Sequence, residues 1–179
     1  FLVSQGTMGG TGTTTVASGA SMRVTDVGGF YGLLVDGTRS VVNNGTVSLE
    51  QSTDSGLAAF RFNVAGTLTN NGVLDLKNGS EIEGPGVVQV SASGTMRSST
   101  AGTSVVSSPV ELAGRIDPTA GTLRVTDLAP AAGGSTTGVV TASGGSLELV
   151  RVTVPTSSKI ASEGTGVLLD HGVVRGDGP

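Results

Sequence analysis

The chain has 179 residues and a mass of 17.5 kDa, and glycine (30), valine (25), threonine (23) and serine (21) supply more than half of it. Small and β-branched residues in this proportion favour short strands joined by tight turns, which excludes a helical bundle. The net charge of −4, with scattered Lys and Arg and no cysteine, excludes disulfides, thiolate metal sites and a cationic surface for nucleic acid.

A short phrase recurs along the chain: a small residue, a glycine, Thr or Ser, an apolar residue and a polar residue. Its first apolar residues lie 21 to 28 residues apart, at Met22, Val47, Leu68, Met96, Leu123 and Leu147. A phrase repeated with one polarity at this interval indicates a repeat protein, in which each unit buries its apolar face against the next unit.

Apolar and polar residues alternate within each copy of the phrase. Val47 and Leu49 fall on one face of a strand, and Ser48 falls on the other. Strands this short bury little alone, so we predict that they stack in parallel as a β-solenoid of about seven irregular coils. The prediction is a single all-β domain over residues 1–179, in which the first apolar residues of the phrases form a shared column.

The sequence also allows an antiparallel β-sandwich. Asn-Gly pairs, the strongest short hairpin signals, occur at residues 44–45, 71–72 and 78–79. We favour the solenoid because the phrase keeps its direction in every copy. The scarcity of aromatic residues also suits the narrow interior of a solenoid better than the gap between two packed sheets.

Several positions are expected to turn the chain. Asn70-Asn71-Gly72 is predicted to form a corner, because Asn and Gly accept the left-handed backbone of a sharp turn. A bend is required near Val150, since the alternation before it would otherwise bury Arg151. The compositions of residues 28–32 and 129–138 predict loops.

The runs Gly66–Leu76 and Thr119–Thr126 resemble the degenerate repeats of large bacterial surface β-helices, as in autotransporter passenger domains and filamentous-haemagglutinin-type adhesins. The likeness extends over about residues 6–170. It implies a right-handed parallel β-helix, secretion to the extracellular space or cell surface, and service as a structural stalk or adhesive module. We expect the chain to be a segment of a longer protein.

The single histidine is the first candidate for chemistry. His171 follows Asp170, a pairing that can orient an imidazole for general-base catalysis. No serine or cysteine nucleophile with a recognisable motif accompanies it. We therefore expect a solvated polar residue at a turn.

Glu81 and Glu83 form the second candidate, because alternate residues share one side of a strand and lie about 7 Å apart. Paired carboxylates at this range serve glycoside hydrolysis or bind a hard cation, so a polysaccharide-binding or polysaccharide-degrading β-helix is one alternative. The adjacent turn at Gly84-Pro85-Gly86 and the scarcity of aromatic residues for sugar stacking favour a solvated outer face instead.

Threonines at alternate positions suggest a second alternative, an ice-binding solenoid. They occur in Thr11-Gly12-Thr13-Thr14-Thr15 and in Thr67-Leu68-Thr69. Against it, the unit does not return in coil after coil, and Arg or Glu often takes the outward position.

We expect no enzymatic activity and no catalytic, cofactor-binding or metal-binding residues. The expected partners are a host surface or glycan, or another copy of the chain bound through its end coils. Nucleic acid and membrane insertion are not expected, because the chain has neither a cationic patch nor about 18 consecutive apolar residues.

Overall fold

A computed structural model describes residues 1–25, 32–50, 59–62, 66–131, 138–153, 160–163 and 167–169. The elements in these residues are all β-strands. In chain order they are β1 (Leu2–Val3), β2 (Gly6–Met8), β3 (Thr13–Val16), β4 (Ser21–Thr25), β5 (Leu33–Val35), β6 (Ser40–Asn43), β7 (Thr46–Glu50), β8 (Ala59–Phe62), β9 (Thr67–Asn70), β10 (Val73–Lys77), β11 (Glu81–Glu83), β12 (Val87–Val90), β13 (Thr95–Ser98), β14 (Thr103–Val106), β15 (Val110–Leu112), β16 (Arg115–Ile116), β17 (Thr122–Val125), β18 (Leu128–Pro130), β19 (Gly138–Thr141), β20 (Ser146–Leu149), β21 (Ile160–Glu163) and β22 (Val167–Leu169).

From β1 to β20, every third strand belongs to the same sheet. Sheet A has the order β1-β4-β7-β10-β13-β16-β19-β21, sheet B has β2-β5-β8-β11-β14-β17-β20-β22, and sheet C has β18-β15-β12-β9-β6-β3. Neighbouring strands pair in parallel throughout the described residues, for example β4 with β7 and β7 with β10. The predicted parallel β-solenoid is therefore confirmed, and the antiparallel sandwich is excluded.

The coil count differs slightly from the expected seven. Sheets A and B each contain eight stacked strands, and sheet C contains six in the described part of the chain. At about 4.8 Å between neighbouring strands, eight levels span about 34 Å along the axis. We number the coils from the first, so that coil 1 contains β1 to β3 and coil 4 contains β10 to β12.

The shared column predicted for the phrases is wrong. Val47 and Met96 both lie in sheet A, where Leu74 stands between them. Leu68 lies in sheet C, and Leu123 lies in sheet B. The phrase marks the start of a strand after any of the three corners, because every corner needs small residues and every strand after it alternates. It therefore does not say which sheet a strand joins.

The true column of sheet A gives the coil lengths. Its inward residues are Met22, Val47, Leu74, Met96, Ile116 and Val140. They are separated by 25, 27, 22, 20 and 24 residues. All six are buried, and the core that they share with the other two sheets consists of Val, Leu, Ile, Met and one Ala. The interior is as narrow and aliphatic as the composition predicts.

Two buried asparagines interrupt the apolar core of sheet C. Asn43 and Asn70 pair in adjacent coils and have no exposed surface. Nδ2 of Asn43 donates to Oδ1 of Asn70 and to the carbonyl oxygen of Val73, both at 2.8 Å. Nδ2 of Asn70 donates to the carbonyl oxygen of Thr95 at 2.9 Å. Val90 takes this position in the next coil, so the asparagine ladder has two members.

The corner between sheets C and A depends on glycine, but not for the reason predicted. The corner at Asn70-Asn71-Gly72 is present between β9 and β10, yet none of the three has a positive φ. Glycine is needed there because coils approach closely. A Cβ on Gly45, Gly72, Gly94 or Gly114 would lie 2.1 or 2.2 Å from a carbonyl oxygen of the coil below.

The expected break near Val150 is confirmed. Strand β20 ends before it, Arg151 is exposed, and Val152 is buried in an isolated parallel bridge with Leu128. The bend is thus a corner between sheets B and C. The loop expected at 129–138 is shorter than predicted, because its first two residues belong to β18 and its last residue, Gly138, begins β19.

Residues 132–137 lie outside the described part of the chain, as do residues 28–31 of the other expected loop, where Gly32 alone is described.

Leu123→Asp should abolish folding or cost about 3 to 5 kcal/mol, because it places an unpaired charge in the core of sheet B. The matched control is Arg124→Gln on the adjacent outward position, which should cost less than about 1 kcal/mol. Chemical denaturation of both variants measures the difference. Equal costs would contradict the assignment of inward and outward positions.

Gly72→Ala should destabilise the chain by more than about 2 kcal/mol, since the new methyl group meets the carbonyl oxygen of Gly45 at 2.1 Å. Gly9→Ala is the control, because a Cβ there meets nothing within 4 Å. Thermal unfolding should separate the two variants by several degrees. An unchanged midpoint in Gly72→Ala would show that the corner can relax.

Candidate functional site: the outer faces of the solenoid

Sheet A presents charged residues that link one coil to the next. Glu50 accepts a hydrogen bond from Nζ of Lys77 at 3.0 Å and another from Nε of Arg23, so that ion pairs join three successive strands. Partial burial raises the pKa of Glu50, but the bonds from Lys77 and Arg23 outweigh burial and hold the pKa below its ordinary value. These charges therefore serve the stacking of coils.

Asp75 lies at an outward position of sheet A and is nevertheless only 3% exposed. Its Oδ2 accepts hydrogen bonds from Nη2 of Arg97 and Oγ of Ser99, both at 3.0 Å. Arg97 stands above it in the next coil and compensates the carboxylate. The sequence gives no sign of this burial, because the alternation of inward and outward residues along the strand places the Asp75 side chain in solvent.

Another paired carboxylate lies where β16 ends. Asp117 accepts from Nε of Arg115 at 3.2 Å and from the backbone N–H of Ser143 at 3.0 Å. Burial raises the pKa of Asp117, and hydrogen bonds from Thr141, Ser143 and Arg115 lower it further than burial raises it. Like Glu50, Asp117 is a structural carboxylate.

Glu81 and Glu83 share the outer side of β11 in sheet B, as predicted, with Ile82 buried between them. Oγ of Ser107 lies 3.4 Å from Oε1 of Glu81. Burial and then the negative charge of Glu83 raise the pKa of Glu81, against a smaller lowering by Ser107. Glu81 is thus more easily protonated than an ordinary glutamate, a property that a general acid shares.

Within the described residues, no group of three or more His, Cys, Asp or Glu side chains could hold a metal ion. His171 and Asp170, the other candidate pair, lie outside the described residues. Elsewhere in sheet B, Nη2 of Arg124 donates to Glu148 of the next coil at 2.9 Å.

Sheet C differs from the other two sheets in charge. Register places its outward residues in two columns over coils 1 to 4, namely Thr13, Ser40, Thr67 and Val87, and Thr15, Val42, Thr69 and Gln89. None of these eight is charged, and we call this surface the uncharged face. The next outward residue of the second column is Glu111. Outward Arg and Glu residues, which the sequence indicates at many positions, are found on sheets A and B but not on this part of sheet C.

The uncharged face is regular. Neighbouring positions lie about 4.8 Å apart along the axis and about 6.6 Å apart along each strand. Oγ1 of Thr69 donates to Oε1 of Gln89 at 3.2 Å, and Nε2 of Gln89 donates to Glu111 at 2.9 Å. Nearby, Arg39 turns its guanidinium to the carbonyl oxygen of Gly9, at 3.0 Å, and so fixes the corner of coil 1.

Coil 1 is one end of the described solenoid, and it exposes apolar residues. Residues 1–22 contain no Asp, Glu, Lys, Arg or His. Phe1 is 79% exposed and Leu2 is 57% exposed. A cavity of about 300 Å³ opens there, lined by Phe1, Thr14, Thr15, Val16, Ala17, Ala20, Ser21 and Met22. Edge strands usually carry charges that prevent pairing with other chains, and β1 and β3 have none.

Replacing Glu81 by Gln should stabilise the chain at neutral pH, by less than about 1 kcal/mol because the site is partly exposed. A pKa raised by folding means that deprotonation opposes folding, so the penalty grows as pH rises above 4.5 and is absent in acid. Glu50→Gln should do the opposite, because its lowered pKa gives stability that is present at neutral pH and lost as pH falls. Urea denaturation at neutral pH and at a pH below 4.5 measures the free energy of unfolding of both variants and tests these opposite effects.

Comparisons with family models, with curated proteins and with solved structures found no match to this chain. Among the residues that the structure describes, none form a helix long and apolar enough to cross a bilayer.

Proposed function

We propose that the chain is a non-catalytic structural stalk or adhesive module of a secreted or cell-surface bacterial protein. The observation that carries the proposal is the unequal distribution of charge over the three sheets. Sheets A and B carry ion pairs between coils, whereas sheet C has the uncharged face. The resemblance of the repeats to those of autotransporter passenger domains and filamentous-haemagglutinin-type adhesins supports an extracellular location.

The stalk part of the proposal follows from how the coils hold together. Each coil in the described part bonds to the next through parallel backbone ladders, and ion pairs such as Asp75 with Arg97 and Arg124 with Glu148 join successive coils from outside. Such an array gains stability mainly from contacts between neighbouring repeats. A rod built this way sets a fixed distance between its ends.

The adhesive part follows from the uncharged face. Centres of protein interfaces are depleted in charged residues, because an unpaired charge loses its hydration on binding. A surface of Thr, Ser, Val and Gln offers hydroxyl and amide groups for hydrogen bonds without that cost. We propose that the partner, a host surface or glycan, contacts sheet C.

Thr67→Glu tests this face, because it adds one charge at its centre. Thr95→Glu is a matched control on sheet A, since both threonines begin four-residue strands with the same burial pattern. On a glycan array, Thr67→Glu should lose about tenfold or more in affinity, equal to about 1.4 kcal/mol, and Thr95→Glu should not.

Unchanged binding by Thr67→Glu would contradict a contact on sheet C. Loss in the Glu81→Gln, Glu83→Gln double variant instead would move binding to sheet B and favour a polysaccharide-binding or polysaccharide-degrading β-helix. The raised pKa of Glu81 is the observation that keeps this alternative, because a carboxyl group that protonates more easily than usual suits the general acid of glycoside hydrolysis.

The threonine pairs of coils 1 and 3 favour one further candidate, an ice-binding solenoid. Thr13 and Thr15, and Thr67 and Thr69, present hydroxyl and methyl groups at regular spacings on a surface without charge. Thr67→Glu and Thr95→Glu also test this candidate, with ice growth as the measurement. If the chain slows ice growth, Thr67→Glu should abolish the effect and Thr95→Glu should preserve it.

Self-association through coil 1 is the second partnership that we propose, because its strands are uncharged and Phe1 and Leu2 are exposed. Sedimentation should show a dimer whose fraction rises with concentration. Leu2→Lys should shift the chain to monomer, and Leu168→Lys, a comparably exposed leucine in the last described strand, should leave the dimer intact. A monomer at all concentrations would contradict this proposal.

A further inference from the structure

The uncharged face of sheet C is small for a protein partner. Its side chains stand in four levels and two columns. With about 4.8 Å between levels and about 6.6 Å between columns, the face covers on the order of 300 Å². A stable protein–protein interface buries roughly 800 Å² of each partner. A glycan chain lying along the axis is one sugar wide and contacts the face over its whole length, so these dimensions favour a glycan.

A row of hydrogen bonds runs along the second column of this face and continues past its end. Oγ1 of Thr69 donates to Oε1 of Gln89 at 3.2 Å, and Nε2 of Gln89 donates to Oε2 of Glu111 at 2.9 Å. The three residues stand at one register position in coils 3, 4 and 5. All three are partly exposed, so the row lies at the surface that a partner would contact.

Glu111 gives this row of hydrogen bonds one direction. A carboxylate only accepts hydrogen bonds, so the amide of Gln89 must turn Nε2 to Glu111 and Oε1 to Thr69. The hydroxyl proton of Thr69 is then committed to Gln89. Thr69 therefore offers a partner the lone pairs of Oγ1, which accept a hydrogen bond from a group such as a sugar hydroxyl.

Glu111 also places a negative charge at the end of the uncharged face. Among the described residues, no Lys or Arg side chain forms an ion pair with it. Along the axis, its position lies about 5 Å from that of Gln89 and about 10 Å from that of Thr69. Because salt screens a charge over about 8 Å, the carboxylate acts on a charged group bound at either of these levels.

We propose that Glu111 makes sheet C specific for a neutral glycan whose hydroxyl groups donate hydrogen bonds to the row. This inference rests on the glycan contact proposed for the uncharged face. Glu111 acts on the ligand in two ways. Through Gln89 it fixes Thr69 as an acceptor, and through its charge it disfavours uronic acids and sulfated sugars. Glu111 is thus a positioning residue and a source of repulsion, and it requires no contact with the glycan.

Titration with matched oligosaccharides measures the effect of charge. The probes are hexasaccharides of glucose, mannose and galactose and the corresponding hexasaccharides of uronic acids. At low salt the native chain should bind a neutral probe about fourfold more tightly than its acidic counterpart, since two like charges about 5 Å apart in water repel by about that factor. Glu111→Gln should remove most of this preference, because glutamine keeps an acceptor for Gln89 without the charge. Glu81→Gln removes the same charge from sheet B and should leave the preference unchanged.

O-methylated probes test the direction of the row, because methylation removes hydroxyl donors and keeps oxygen acceptors. A fully O-methylated neutral hexasaccharide should bind the native chain about tenfold more weakly than the free sugar, the effect of losing one or two hydrogen bonds. In Glu111→Lys the ammonium group donates to Oε1 of Gln89, the amide turns over, and the hydroxyl of Thr69 becomes free to donate. This variant should lose less affinity on methylation than the native chain, and far-ultraviolet spectra show whether each variant keeps the fold.

The contact on sheet C and the role of Glu111 fail in different ways. If no neutral hexasaccharide binds, or if Thr67→Glu leaves binding unchanged, the contact on sheet C is wrong and the role of Glu111 fails with it. If a neutral hexasaccharide binds through sheet C and Glu111→Gln keeps the full preference against acidic probes, only the role of Glu111 is overturned. Equal binding of neutral and acidic probes by the native chain, or equal losses on methylation in the native chain and Glu111→Lys, would overturn that role too.

Discussion

The constraint on which the rest depends is the close approach of successive coils where sheet C turns into sheet A. Gly45, Gly72, Gly94 and Gly114 leave no space for a Cβ, because a carbonyl oxygen of the coil below occupies it. The same approach lets the N–H after each glycine bond to a carbonyl of the coil below, at 2.8 to 3.0 Å. This corner therefore sets the register of sheet A.

Stacking has a second consequence for the outside of the rod. Outward residues of adjacent coils lie as close as inward ones, so charges either pair along the axis or repel. Sheets A and B use opposite charges, as in Lys77 with Glu50 and Arg124 with Glu148. Sheet C in coils 1 to 4 uses uncharged residues instead. Paired charges and uncharged residues both avoid repulsion between coils. The uncharged residues of sheet C are therefore compatible with stacking and remain available to bind a partner.

Sequence alternation was enough to predict which residues of a strand point inward, because parity is a local property. Leu123 is buried and Arg124 is outside, as the pattern requires. Alternation could not assign a strand to a sheet, since all three corners use similar small residues. Leu68 and Leu123 are therefore on different sheets despite their shared phrase.

The candidate surface was harder to predict than the fold for the same reason. The uncharged face joins Thr15, Val42 and Thr69, which lie 27 residues apart in the chain and share no motif. The burial of Asp75 likewise depends on Arg97, from the next coil. The length of each coil decides which residues of adjacent coils lie next to each other along the axis. Coil length depends on the corners and not on a sequence motif of fixed spacing.

The asparagine ladder limits how such a rod can be lengthened by gene duplication. A tandem copy of residues 44–70 would supply another Asn70 directly above the first, and every amide would again find an acceptor in the adjacent level. A tandem copy of residues 71–90 would instead add a further valine level and leave the ladder at two members. Longer rods with more or fewer buried asparagines in the core of sheet C can thus arise, depending on which coil is duplicated.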